Sequence, residues 1–395
     1  MKILIDGQTL LTPELKRGIG KYFLNVVENL LSADFANEFY LAVPSTQNLD
    51  AFSPWAAAKL QIVDLAVNGH GRREMDALSR QYSNRINDII SETGMDVYWS
   101  PNALMDSVFL PARLANTCRY CVTIFDLIPL VMEEHFKKSW PPQMFARYRH
   151  KLAKLETDYD VFFHISQHTY NDFSSRLTVA RKHHVVTPLA VDDSFRPYPF
   201  PKIAEAEDYV LYPGGFDPRK NMFGALEAFA ELHKHHGNDP VVRGSRLRIV
   251  CHADEASEKD LRKRARRLGI DDKLDVTGFV TEAELIELYQ KARCLFFPSL
   301  YEGFGLPVLE GLACGLPIAA SKTSAIPEVA GDLALYFDPR DVEDMAEKLF
   351  RALNEPRNLE SRLRRHRYAE RFSWQKTALT TLQAFSDGAD ATTIS

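Results

Sequence analysis

The sequence predicts an α/β protein of two lobes, each built on a parallel sheet. Three observations carry this. Short β-branched and aromatic runs alternate with longer amphipathic segments. The alternation runs twice, once on each side of a proline-rich stretch. The 395 residues are 45% apolar and 26% charged, enough apolar material for more than one core.

In the first half, strands are expected at 2–6, 38–43, 60–65, 96–99, 120–125, 161–165 and 184–188. Between the first two lies a helix over 20–31, with Phe23, Val26, Val27, Leu30 and Leu31 at three- and four-residue spacings. The pattern breaks over 195–208, where Pro197, Pro199 and Pro201 alternate and stiffen an extended linker. It restarts with strands at 209–212, 247–251, 274–277, 294–298, 318–320 and 334–337, and helices at 226–233, 282–291 and 342–353. Expected domains are therefore 1–200, 201–372 and a closing helix with a frayed tail over 373–395. The two sheets would face each other across a cleft at their C-terminal ends.

Composition excludes several classes. Lysine and arginine number 48 against 53 aspartate and glutamate, a net charge of −5 that gives no general attraction to nucleic acid. No window reaches the roughly 18 apolar residues of a membrane span. The opening MKILIDGQTLL turns polar too soon for a signal peptide and reads as the first strand. Five cysteines make no disulfide framework in a chain this long, so a cytoplasmic location is expected.

Three motifs carry chemistry. The run Arg17-Gly18-Ile19-Gly20-Lys21-Tyr22 joins the first strand to the first helix. Its glycines let backbone approach a ligand, and the helix N-terminus favours an anion; a plain tight turn explains it equally. The loop Gly214-Gly215-Phe216-Asp217-Pro218-Arg219-Lys220-Asn221 follows a strand and precedes a helix. Arg219 can fork two oxygens and Lys220 adds a point charge, which suits a diphosphate; a solvated turn is the alternative. The third runs from Pro298 to Pro317, with Glu302 before a Gly-Phe-Gly-Leu-Pro turn and Glu310 eight positions later in an apolar helix. Val308, Leu309, Leu312 and Ala313 flank Glu310, so its carboxylate is expected to be partly buried and to need hydrogen-bond donors, such as vicinal hydroxyls. Glycines at 303 and 305 would expose amides at the helix start.

Together these resemble glycosyltransferase family 4. Glu302 to Glu310 matches its Glu-x7-Glu element, residues 214–221 its diphosphate loop, and residues 18–22 its N-terminal glycine loop. Val122-Thr123-Ile124-Phe125-Asp126-Leu127-Ile128-Pro129 is similar to its HDLIPL segment, and His164-Ile165-Ser166 to its VS strand. The resemblance implies a GT-B fold and configuration-retaining transfer without bound metal. The C-terminal lobe would hold the nucleotide sugar and the N-terminal lobe mainly the acceptor. It implies that Glu310 binds ribose hydroxyls, Glu302 binds donor-sugar hydroxyls, and the amides of Phe304, Gly305 and Leu306 meet the sugar or its phosphates. Lys220 and Arg219 would neutralise the departing diphosphate. Gly18, Gly20, Gly214 and Gly215 would complete the donor contacts.

Two positions depart from the family pattern. Gly215 stands where many members carry Arg, and Phe125 where many carry His, leaving Asp126 as the polar group near a sugar or as an Asp bonded to local backbone. The variants resemble mannosyltransferases of O-antigen assembly, which implies GDP-mannose as donor and a glycan or lipid-linked acceptor. UDP-sugar donors, an epimerase on the same scaffold and a non-catalytic scaffold protein are the alternatives.

Weaker features remain. Cys118 and Cys121 form a lone Cys-x-x-Cys that reads as packing. His164 or His168 could reach the acceptor. Residues 137–154 interleave Trp140, Met144, Phe145, Tyr148 and Leu152 with six lysines and arginines, either an interfacial helix at the cytoplasmic face of an anionic membrane or a helix packed on the first sheet. The basic run Arg262 to Arg267 reads as a solvated face. Ser373 is the expected N-cap of the closing helix.

Overall fold

The computed structural model describes residues 1–33, 36–44, 48–66, 75–114, 117–179, 182–197, 207–356 and 358–387. Pro199 and Pro201 of the expected linker, and most of the expected frayed tail, lie outside these. The chain divides into two compact units, Met1–Leu189 with Ser373–Ser395, and Ala190–Phe372.

The first unit holds seven strands: β1 Lys2–Asp6, β2 Glu38–Val43, β3 Gln61–Asp64, β4 Val97–Ser100, β5 Arg119–Ile124, β6 Val161–His164 and β7 His183–Val186. They form one sheet in the order β3-β2-β1-β4-β5-β6-β7. Every neighbouring pair is parallel. The central strands are buried on both faces, which is why they read as unbroken apolar runs rather than alternating ones. The helix Gly18–Ala33 packs Tyr22, Phe23, Val26, Val27, Leu30 and Leu31 inward. The closing helix Trp374–Ser386 lies in this unit, its Trp374 ring 6.2 Å from Tyr22 and its Thr377 hydroxyl donating to the Pro188 carbonyl at 2.6 Å. Ser373 occupies the N-cap position, but its side chain makes no capping bond.

The second unit holds β8 Tyr209–Tyr212, β9 Arg246–Ile249, β10 Leu274–Val276, β11 Cys294–Phe297, β12 Ile318–Ser321 and β13 Ala334–Phe337. These form a second all-parallel sheet, β10-β9-β8-β11-β12-β13. The chain winds outward from β8 through β9 to β10, then crosses back to place β11 beside β8. In a doubly wound sheet the crevice at that reversal, beyond the strand C-termini, is where ligands bind.

The basic stretch over 137–154 resolves as two helices, Glu133–Ser139 and Pro142–Asp158, broken where Pro141 cannot donate a helix hydrogen bond. Phe145, Tyr148 and Leu152 are buried in the first unit, with Tyr148 and Leu152 in the core cluster around β5 and β6. The interfacial reading is corrected on this point, because these apolar side chains are already covered by protein. Among the described residues no helix is long and apolar enough to cross a membrane.

Candidate functional site

The loops that follow β8 and β11 meet at the reversal point of the second sheet. After Tyr212 the backbone runs through Pro213, Gly214 and Gly215 into a short 3-10 turn, Pro218–Lys220. Asp217 caps that turn by accepting from the Arg219 amide at 3.0 Å, and Asn221 leaves it in the left-handed region to start the helix Met222–His236. The Tyr212 hydroxyl donates to the Lys220 carbonyl at 2.9 Å, and its ring passes so close beneath Gly214 that a Cβ there would sit 2.7 Å from it. After β11, residues 298–305 lead into the helix Leu306–Ala313. Gly305, with φ of 104°, makes the entry turn that an L side chain would strain.

These two loops are tied at three points. The Leu300 amide donates to the Arg219 carbonyl at 2.7 Å. The Lys220 ammonium donates to Glu302 Oε1 at 2.6 Å, and Arg219 Nη1 reaches Glu302 Oε2 at 3.4 Å while its Nε donates to Asp217 Oδ2 at 2.8 Å. Glu302 is only 7% exposed, so its carboxylate depends on these charge-assisted bonds in place of water. A third loop, after β12, holds the other side: the Glu302 amide donates to the Ser324 hydroxyl at 2.9 Å, with Ser324 at a left-handed φ of 52°. Lys220 also sits 5.3 Å above the Phe297 ring. Two cations are thus held side by side over a crevice end, pointed by a buried carboxylate.

Gly214, Gly215, Arg219, Lys220, Glu302, Phe304, Gly305, Leu306 and Glu310 all fall in this unit. A Cβ on Gly215 would meet nothing within 4 Å, so open space lies over the loop. Phe304 is buried with its ring 5.7 Å from Phe372, a packing role for its side chain. Gly305 and Leu306 stand at the N-cap and first position of their helix, where amides have no intrahelical acceptor. Glu310 is buried in the same helix. Burial first, then the Glu310 carboxylate, push the Tyr289 hydroxyl and the Cys314 thiol upward. Asp217, Tyr212 and Ser324 were not singled out as site residues from sequence. The Asp-Pro pair signals a turn, whereas the bonds from Tyr212 and Ser324 arise only on folding.

The remaining predicted positions lie in the first unit. Gly18 opens the first helix, and Gly20 lets that helix lie against the turn Pro13–Lys16, since a Cβ there would come within 1.9 Å of the Leu15 carbonyl oxygen. Asp126 is half-buried beyond β5, and its Oδ1 accepts from the Ile128 amide at 3.0 Å. Phe125 meets Tyr22 edge-on at 5.3 Å.

His164 is corrected as an acceptor candidate. It is fully buried, its Nε2 3.0 Å from His184 Nδ1, and His184 Nε2 donates to the Val179 carbonyl at 2.9 Å. That chain makes His164 Nε2 the donor and leaves its Nδ1 without a hydrogen-bond partner among the described residues. Burial, reinforced by His184, pushes it down to about 3. His168 lies 3.6 Å from Asp172 on the helix Gln167–Arg176. Cys118 and Cys121 are buried free thiols, Cys118 pushed up to about 12 by burial. Among the described residues no group of three or more His, Cys, Asp and Glu is placed to hold a metal ion.

Residues 199–372 match the family described as Glycosyl transferases group 1. The O-antigen chain mannosyltransferase B of Escherichia coli is 33% identical over 184 residues, 45% of this chain and 46% of that protein. The serotype-specific mannosyltransferase WbdA of Escherichia coli is 31% identical over 296 residues, 71% of this chain and 35% of that one. The chain thus spans about a third to a half of these relatives' length. WaaG, a glycosyltransferase involved in lipopolysaccharide biosynthesis, superposes with a TM-score of 0.67 at 15% identity, covering 98% of this chain and 99% of its own. The two-unit fold with parallel sheets is of the GT-B type.

Proposed function

From the premise that residues 199–372 carry a group 1 glycosyltransferase domain, we propose that this chain transfers mannose from GDP-mannose to a glycan or lipid-linked acceptor, with retention and without a metal ion. The observation that carries this reading is the Lys220–Glu302–Arg219 cluster at the reversal point of the second sheet. Bond cleavage at the anomeric carbon leaves negative charge on the departing diphosphate, and two cations held in advance stabilise that charge without reorganising. Glu302 holds them there and offers acceptor oxygens to sugar hydroxyls. The amides at Gly305 and Leu306 add donors for a phosphate. Glu310, eight residues on, is the partner for ribose hydroxyls. Gly18 and Asp126 belong to the other unit and are assigned to the remaining substrate contacts, whereas Gly20, expected from sequence to contact the donor, packs its helix on the turn Pro13–Lys16. The choice of mannose is supported by the names of the two Escherichia coli relatives, and the glycan acceptor by the O-antigen chain in the name of the first.

Calorimetric titration with GDP and UDP in chelator-containing buffer tests the reading. GDP is expected to bind and UDP to bind at least about tenfold more weakly, and Lys220→Met is expected to lose about tenfold for GDP. Preference for UDP overturns the donor assignment, and binding that requires added metal overturns metal independence. Binding of neither overturns the site.

A further inference from the structure

In the first unit, a cavity of about 470 Å³ opens between the helices Met75–Thr93 and Pro142–Asp158, roofed by the loop after β4. The cavity shares no residue with the Lys220–Glu302 cluster. Its lining is divided by chemistry. Val108, Phe109, Leu110, Ala112 and Leu114 make an apolar wall, and Leu114 is 71% exposed at its rim. Arg80, Arg147, His150, Lys151 and Lys154 supply basic groups, while Asp106 is the one carboxylate among the lining residues. Both Asp106 oxygens are taken by Arg147, at 2.8 and 2.7 Å, which leaves Arg80, Lys151 and Lys154 without a neutralising carboxylate in the cavity.

Lys151 is the informative member. It is only 8% exposed, and its ammonium makes one hydrogen bond among the described residues, to the Met105 carbonyl. An ammonium has three donors, so two face no protein acceptor there. Lys154, one turn along, donates once, to the Leu110 carbonyl at 2.8 Å. A buried cation of this kind costs folding free energy, and a counter-ion arriving from solvent relieves it.

We propose that this cavity is a second ligand site, taking an organic phosphate whose anionic group is held by Lys151 and Lys154 and whose apolar portion lies on Phe109, Ala112 and Leu114. Two ammonium groups on adjacent turns match a dianion better than a single carboxylate. The volume, within the range of small-molecule pockets, admits more than inorganic phosphate. The surroundings agree: burial lowers the Lys151 amine to about 7, with Asp106 raising it and Arg147 and Lys154 lowering it further, so an added anion favours the ammonium.

The test is calorimetry on the full chain with three probes: hexyl phosphate, inorganic phosphate and the neutral hexyl glucoside. Hexyl phosphate is expected to bind about tenfold tighter than inorganic phosphate, with no saturation by the glucoside. Lys154→Gln, at a half-buried position, and Lys151→Met should each weaken it about tenfold, with circular dichroism confirming the fold of both. Equal affinity for inorganic and hexyl phosphate overturns the apolar half of the proposal. Binding that survives both lysine variants but disappears in Lys220→Met belongs to the other unit and overturns the site. Absence of saturable binding by hexyl phosphate at millimolar concentration overturns it as well.

Discussion

Gly20 separates a packing glycine from a ligand-binding one. Its ideal Cβ would lie 1.9, 2.3 and 2.5 Å from the carbonyl oxygen, carbonyl carbon and Cα of Leu15. All three are backbone atoms of the turn Pro13–Lys16, so no side chain can swing aside, and turn or helix must move by more than an ångström. Overpacking of that kind costs about 1–3 kcal/mol, offset by at most about 1 kcal/mol from the better helix propensity of alanine. The same helix carries Tyr22 and Val26 against the core, so a shift is felt there too. Gly20→Ala is therefore expected to destabilise the first unit by about 2 kcal/mol, roughly 4–8 °C in Tm for a unit of this size. Thermal unfolding followed by circular dichroism measures it, with Gly215→Ala as the control. At Gly215 a Cβ meets nothing within 4 Å and φ is not left-handed, so its Tm should match the parent. A Gly20→Ala protein melting within about a degree of the parent would refute the packing account.

Two further predictions follow from particular contacts. On the proposed reading, Lys220→Met should lower the transfer rate by about 10²–10³ while leaving the melting profile of the first unit unchanged, measured by nucleotide release in the presence of acceptor. His164 titrates far below an ordinary imidazole, so the folded state resists its protonation; stability is full above about 6.5 and declines as pH falls toward about 3, by up to about 1.4 kcal/mol per pH unit for one proton. His164→Phe removes that proton, and urea unfolding between pH about 6.5 and about 4 should show a shallower slope than the parent; an unchanged slope would place the titration elsewhere.

Thirteen strands are legible in the sequence to within two residues at either end, the central ones because parallel strands covered on both faces are apolar throughout, the edge strands through the turn residues that bound them. The site is legible in part. The Gly-Gly and Gly-Phe-Gly turns mark the loops, but the bond between Lys220 and Glu302 joins residues 82 apart and exists only because β11 returns beside β8. Residues 137–154 were ambiguous for a different reason. An amphipathic pattern states that one face is apolar and says nothing of what covers it; here Tyr148 and Leu152 join the core, while Arg147 and Lys151 turn to the loop after β4. His164 was misplaced because strand ends carry both site and core residues, and only the His184 contact distinguishes them.

Glu302 has two candidate tasks, and they predict different genetics. If it binds the donor sugar independently of the cations, Glu302→Gln and Lys220→Met should multiply in their effects on transfer. The geometry favours coupling. Lys220 Nζ lies 2.6 Å from a carboxylate whose residue is 7% exposed, and the second oxygen is shared with Arg219. Removing either partner leaves the other charge poorly solvated, so much of the loss is incurred by the first substitution. Two charges side by side also number two opposing carboxylates, Asp217 and Glu302, so the unliganded cluster is near neutral and an arriving diphosphate competes with Glu302 for Lys220. Glu302→Gln should then tighten nucleoside diphosphate binding even as it lowers turnover, a split that loss of a sugar contact alone would not produce. A double-mutant cycle on both binding and transfer is expected to give an interaction energy of about 1–3 kcal/mol. Additivity within about 0.5 kcal/mol would assign Glu302 to the sugar alone and leave Lys220 to be oriented by its 3-10 turn and the Tyr212 hydroxyl.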